Sequence, residues 1–174
     1  MKSLLNQQQI ELTVKRLANQ ILENNIQLKN TVLIGIQPRG IFLSNRIVQV
    51  LKNEIDPKNI LYGLLDITFY RDDIRKELHV TNQTYIGISI EVKKVILIDD
   101  VLYTGRRIRA ALDALMDFGR PEKVELMVLI DRRYSRQLPI QPDYIGRSID
   151  SIVTQKVKVL WKENNEKDEV VLID

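Results

Sequence analysis

Residues 95–107, Val-Ile-Leu-Ile-Asp-Asp-Val-Leu-Tyr-Thr-Gly-Arg-Arg, constrain the fold of this chain more than any other stretch. Residues 95–98 are a continuous apolar run, the pattern of a strand buried on both faces of a parallel sheet. Asp99 and Asp100 are expected to close that strand, and a short loop then delivers Thr104 and Gly105. Ile108, Ala111, Leu112 and Leu115 follow at helical spacing. The unit reads as strand, acidic pair, small-residue turn and helix, and ligands of open parallel sheets sit outside the carboxyl ends of such strands.

The residue types of the loop suggest its chemistry. Backbone N–H groups of residues 103–107 open a helix, lack intrahelical partners and face out of its positive end. Gly105 permits a tight turn and close approach of an anion, and the Thr104 hydroxyl adds a donor. That combination makes a phosphate cradle. Two carboxylates beside it would repel phosphate, so they are expected to meet sugar hydroxyls, and the pair suits a ribose 5-phosphate. The spacing matches neither G-x-x-x-x-G-K-[ST] nor G-x-G-x-x-G. A plainer reading, in which Asp and Thr only cap the next helix, would fit a lone Asp-Asp or Thr-Gly.

The rest of the chain supplies the frame. Its 174 residues, 44% hydrophobic and 28% charged, suit one domain over 1–174. No apolar run approaches the ~20 residues of a membrane span, and the first nine residues lack a signal peptide's apolar core. With no cysteine, disulfide frameworks and thiolate metal sites are excluded, and a cytoplasmic location is expected. The net charge of +3 is uneven: the last thirteen residues hold two lysines and five acids. The remainder is therefore basic, as suits phosphorylated ligands or nucleic acid.

In order, Asn6-x-x-Gln9 is a variant capping box, and Ile10, Val14, Leu17, Ala18 and Ile21 share one helix face ending near Asn24. Residues 31–36 read as a second buried strand, followed by Gln37-Pro38-Arg39-Gly40 and a helical pattern through Leu51. Pro38 ends that strand, Arg39 offers a forked cation, and Gly40 allows close ligand approach. Residues 60–69 suggest a third strand and 124–130 another. The polar stretch at about 71–90 reads as a lid over the site, with its lone His79 a solvated loop residue. Segments 138–140 and 143–146 read as short irregular elements, and 156–161 with 169–173 as a terminal hairpin in which Trp161 packs.

Asp99-Asp100-Val101-Leu102-Tyr103-Thr104-Gly105-Arg106 resembles the phosphoribosyl-diphosphate (PRPP) signature of type I phosphoribosyltransferases. Together with residues 66–73 and 138–146, it resembles the branch that pairs uracil phosphoribosyltransferase activity with regulation of the pyr operon. The resemblance spans nearly the whole chain. It implies an α/β fold with a mostly parallel central sheet, helices on both faces, a small hood at about 132–150 and the flexible lid. The activity implied is uracil plus PRPP giving UMP and pyrophosphate, with Mg²⁺ held by pyrophosphate and ribose hydroxyls rather than by a protein cage.

Under that resemblance Asp99, Asp100 and Arg39 carry catalysis. Substrate binding extends to Pro38, Gly40, Arg71, residues 101–105 (Val101, Leu102, Tyr103, Thr104, Gly105), Arg106, Arg107 and Arg132. Pro38 stands where relatives usually have Thr. The same branch binds pyr leader mRNA under control of UMP or UTP, which points to Lys15, Arg16 and Arg136, while Gln141 replaces a position often basic. A homodimer or higher homo-oligomer is implied, with no membrane partner. Two other readings are a purine phosphoribosyltransferase sharing the loop, and an RNA-binding regulator with vestigial catalysis.

Overall fold

The computed structural model describes residues 1–72 and 83–174. Half of the stretch read as a lid, residues 73–82 with His79 among them, therefore falls outside the described residues. In chain order the elements are β1 (Lys2–Leu5), α1 (Gln7–Asn24), β2 (Thr31–Ile36), α2 (Gly40–Glu54), β3 (Leu61–Leu65) and β4 (Lys94–Leu102). They continue with α3 (Arg106–Leu115), β5 (Lys123–Arg133), β6 (Tyr144–Asp150), β7 (Lys156–Leu160) and β8 (Glu169–Ile173). Short 3₁₀ turns lie between several of them, including Thr68–Tyr70.

Five strands form one wholly parallel sheet in the order β3-β2-β4-β5-β6. The apolar runs explain it. Val32, Ile34, Val95, Leu97 and Val128 face one side, where α3 lays down Ile108, Ala111 and Leu115. Leu33, Ile96, Ile98, Met127 and Leu129 alternate to the other side and meet Ile10, Leu17 and Ile21 of α1 and Leu43 and Ile47 of α2. Full burial of each such side chain contributes ~1.5–3 kcal/mol, so both faces must be covered. The capping box holds as expected: Asn6 Oδ1 accepts from Gln9 N at 2.9 Å, and Gln9 Oε1 from Asn6 N at 2.9 Å.

A second, antiparallel sheet joins the two chain ends in the order β1-β8-β7. The terminal hairpin is thus present, and Trp161 does pack, 2% exposed, with Phe42 beside it and the Arg46 guanidinium 4.4 Å above its ring.

Three sequence readings need correction. Residues 143–146 are not irregular: Tyr144–Asp150 is β6, paired along β5. β3 stops at Leu65, and the chain reaches Tyr70 through a 3₁₀ turn rather than as strand. β1 is a further strand, formed by pairing with β8. Finally, β4 continues to Leu102, because its backbone pairs with β5 as far as Asp131, so the acidic pair lies within the strand.

Candidate active site

Position inside a strand sends neighbouring side chains to opposite faces. Asp99 accordingly meets Arg107 on the α3 side, with Nε–Oδ2 at 2.9 Å and Nη2–Oδ1 at 3.2 Å. Asp100 turns the other way and meets Arg39 Nε at 2.9 Å. Both acids are buried, whereas the Arg39 side chain is 44% exposed. Arg107 engages both oxygens of Asp99, whereas Arg39 engages one oxygen of Asp100 and is the more exposed of the two arginines, so Asp100 is the acid with acceptor capacity for a sugar hydroxyl.

Arg39 owes its place to Gly40. A Cβ there would stand 2.4 Å from the Ile98 carbonyl oxygen, so only glycine lets the start of α2 press onto β4. The Gln37–Pro38 peptide just before is cis, and Pro38 is exposed. Arg39 also donates from Nη2 to the Val159 carbonyl at 3.1 Å, tying the second sheet to the site. Beside it a cavity of ≈ 300 Å³ is lined by Arg39, Phe42, Lys158, Asn164 and Asn165 among others.

Asp100 has an unusual proton affinity. Burial first, and the neighbouring Asp99 second, push its carboxyl up to about 6 from the ordinary 3.8, against the pull of Arg39 and Arg107. It is a carboxylate short of donors.

The turn after β4 has its own logic. Gly105 takes φ +92°, the left-handed region open to glycine, and α3 starts at the next residue. Arg136 Nη1 donates to the Tyr103 carbonyl at 2.6 Å. Gln137 N and Leu138 N both donate to the Thr104 carbonyl, at 3.0 and 3.2 Å. In a planar trans peptide the C=O and N–H point in opposite directions. Fixing those two carbonyls therefore aims the N–H groups of Thr104 and Gly105 away from the 136–138 segment, and neither donates to any described residue. Two consecutive unengaged amides at a helix start form an anion nest.

The other expected residues are distributed unevenly. Arg106 bridges Gln137 Oε1 at 2.7 Å and Asp72 Oδ2 at 2.8 Å, while Val101 and Leu102 are β4 backbone around the acids. Arg71 follows the 3₁₀ turn at Thr68–Tyr70, close in the chain to Asp72. Arg132, read as a substrate contact, is buried: its guanidinium lies 3.9 Å from the Tyr103 ring centroid. Its donors go to Ser151 Oγ and to the carbonyls of Ile152 and Gln155.

The three basic residues read as an RNA face make different contacts. Lys15 lines a cavity with Arg46 and Lys162, Arg16 donates to the carbonyls of Ile145 and Gly146, and Arg136 sits against the phosphate loop. Asp131, not among the candidates, is buried at the end of β5 and paired with Arg136. An acid closing an apolar strand, as Asp100 nearly does, was the signal available for it.

Together, an anion nest, an adjacent carboxylate and an arginine stand at the carboxyl ends of parallel strands, where open sheets of this kind bind ligands. The chain belongs to the phosphoribosyltransferase family, whose model, described as phosphoribosyl transferase domain, matches residues 1–164. It is 42% identical over 174 residues to the bifunctional protein PyrR of Bacillus cereus, an alignment covering 98% of this chain and 96% of that one. Solved structures share the fold. A hypoxanthine phosphoribosyltransferase from Staphylococcus aureus gives a TM-score of 0.68 at 22% identity, over 87% of this chain and 79% of that one. A hypoxanthine phosphoribosyl transferase from Trypanosoma cruzi gives 0.72 at 17% identity, over 99% of this chain and 91% of that one.

Proposed function

We propose that this chain transfers the phosphoribosyl group of PRPP to uracil, and that it also regulates pyrimidine biosynthetic genes by uridine-nucleotide-dependent binding of their mRNA. The observation that carries the first half is the pair of unengaged amides at Thr104 and Gly105, next to the donor-poor carboxylate of Asp100. The likeness to a protein named bifunctional PyrR supports the second.

The 5-phosphate docks on those amides and the Thr104 hydroxyl. Ribose hydroxyls donate to Asp100, with Asp99 behind it, and Arg39 passes from Asp100 to the pyrophosphate. The C1–O bond breaks with its electron pair leaving on pyrophosphate, uracil N1 bonds to C1, and the N1 proton is lost. Positive charge developing on the ribose is stabilised by the two carboxylates.

The residues suit a Mg²⁺ ion, since the acids at this site offer hard oxygen donors and burial penalises the Asp100 charge despite its pairing with Arg39. Asp100 is the residue of this chain that would face it, the other ligands coming from pyrophosphate and ribose oxygens. Bound there, it neutralises charge on the leaving pyrophosphate. The chain works in the cytoplasm as a homodimer or larger homo-oligomer. Lys15 remains the candidate RNA contact, because Arg16 and Arg136 spend donors within the chain.

Incubation with PRPP, Mg²⁺ and each base in turn tests the enzyme half: UMP and pyrophosphate should form with uracil, and transfer only to purines would refute it. Leader-RNA binding should strengthen with UMP or UTP and fall steeply with salt. Binding indifferent to nucleotide would remove the regulatory half.

A further inference from the structure

The phosphate loop does not hold its own shape. Both carbonyls that must face away from a ligand for the Thr104 and Gly105 amides to face it are held by residues of the segment after β5. Two of those three donors are the backbone N–H groups of Gln137 and Leu138, which no side-chain change removes. The third is the Arg136 guanidinium, and it is anchored: its Nη2 pairs with Asp131, an acid only 6% exposed. Arg136 is itself a partly buried bridge, with 22% of its side chain accessible. A buried carboxylate left without this partner would be strongly penalised, so the pair has one arrangement rather than many.

Resting on the function proposed above, we infer that Arg136, anchored by Asp131, is a positioning residue for the 5-phosphate. Its contact with the Tyr103 carbonyl sets the Thr104 amide toward the ligand, and it touches neither substrate nor the reacting atoms. Arg132 supports the same loop from the other side by stacking on the Tyr103 ring while held by the 151–155 segment. The assignment takes Arg136 out of the RNA-facing set, since both ends of its guanidinium are engaged inside the site.

The inference predicts a split between substrates. In Arg136→Gln the Thr104 peptide is free to turn, so affinity for ribose 5-phosphate should fall about tenfold or more, the scale of one charge-assisted hydrogen bond. KM for PRPP should rise in step while KM for uracil changes little, and the melting temperature should fall because Asp131 loses its partner. Arg136→Lys, which keeps the charge but not the forked bridge, should recover part of the loss. Asp131→Asn, which removes the anchor and leaves Arg136 in place, should shift ribose 5-phosphate affinity in the same direction and serves if the glutamine variant fails to fold.

Titration calorimetry with ribose 5-phosphate on the full chain is the test, because it does not depend on which base is used. A variant that binds ribose 5-phosphate as wild type does would overturn the positioning role. So would equal weakening toward ribose 5-phosphate and uracil, which a general loss of structure would give. Wild-type protein that binds the sugar phosphate yet transfers nothing to uracil would instead refute the proposed reaction and leave the positioning role standing.

Discussion

At each end of the parallel sheet an acid is buried among bases, and the two ends treat it in opposite ways. At the amino-terminal end Glu125, near the start of β5, accepts from Lys123 Nζ at 2.8 Å and from the Tyr144 hydroxyl at 2.9 Å, with Lys94 Nζ 3.3 Å away. Asn25 completes the group, accepting from Lys94 Nζ and donating to the Ile21 carbonyl and the Tyr144 hydroxyl. Burial alone would raise the Glu125 carboxyl, but hydrogen bonds from Lys123, Tyr144 and Lys94 outweigh it and hold it below the ordinary 4.5. At the carboxyl-terminal end burial wins, and Asp100 rises to about 6 with a second acid beside it. One end is finished. The other is short of donors, which is what a ligand bringing hydroxyls and a cation can supply.

That contrast can be broken by exchanging charge for amide at each end. Asp100→Asn should lower phosphoribosyl transfer about 10²–10³-fold, the scale seen when a group facing developing charge is removed. Its melting temperature should hold or rise, since a burial-penalised charge has gone. A variant that keeps wild-type turnover would show that Asp100 is structural. Glu125→Gln should do the reverse, costing about 1.5–3 kcal/mol of stability in denaturant titration while transfer stays within about twofold. A loss of activity without a loss of stability there would erase the distinction.

The pH dependences should also run in opposite senses. Asp100 has a raised carboxyl, so its contribution to stability is full below 3.8 and is lost as pH rises through about 6. Glu125 has a lowered carboxyl, so its contribution is present above 4.5 and is lost as pH falls further. Stability curves of Asp100→Asn and Glu125→Gln should each lose one of these two slopes. The acid limb of kcat/KM for PRPP should carry an apparent pKa near 6 and be absent from the residual activity of Asp100→Asn. Smallest of all, Tyr144→Phe removes one donor from Glu125 and should cost about 1 kcal/mol with no change in transfer.

Local sequence carried much of this. The apolar runs of β2, β4 and β5, the Asn6–Gln9 capping box and the terminal hairpin all follow from periodicity or residue type within a few positions. What was not legible depends on partners distant in the chain. β1 is four residues long and exists because Lys2 pairs with Leu172. β6, with Gly146, Arg147 and Ser148 in it, lacks an apolar run and becomes a strand by pairing along β5.

The acidic pair shows the same limit. Read as the end of a strand, Asp99 and Asp100 point to a ligand together; pairing with β5 carries the strand past them and sends them to opposite faces. The loop's hold by Arg136, Gln137 and Leu138 spans some thirty residues and leaves no spacing pattern to find.

The most direct measurement is a crystal structure of the chain with ribose 5-phosphate bound. The phosphate oxygens should lie within hydrogen-bond distance of the Thr104 and Gly105 amides, a ribose hydroxyl should lie on the Asp100 carboxylate, and Arg39 should have moved off it. A sugar phosphate bound elsewhere, or bound with the Arg39–Asp100 pair intact, would contradict the central claim.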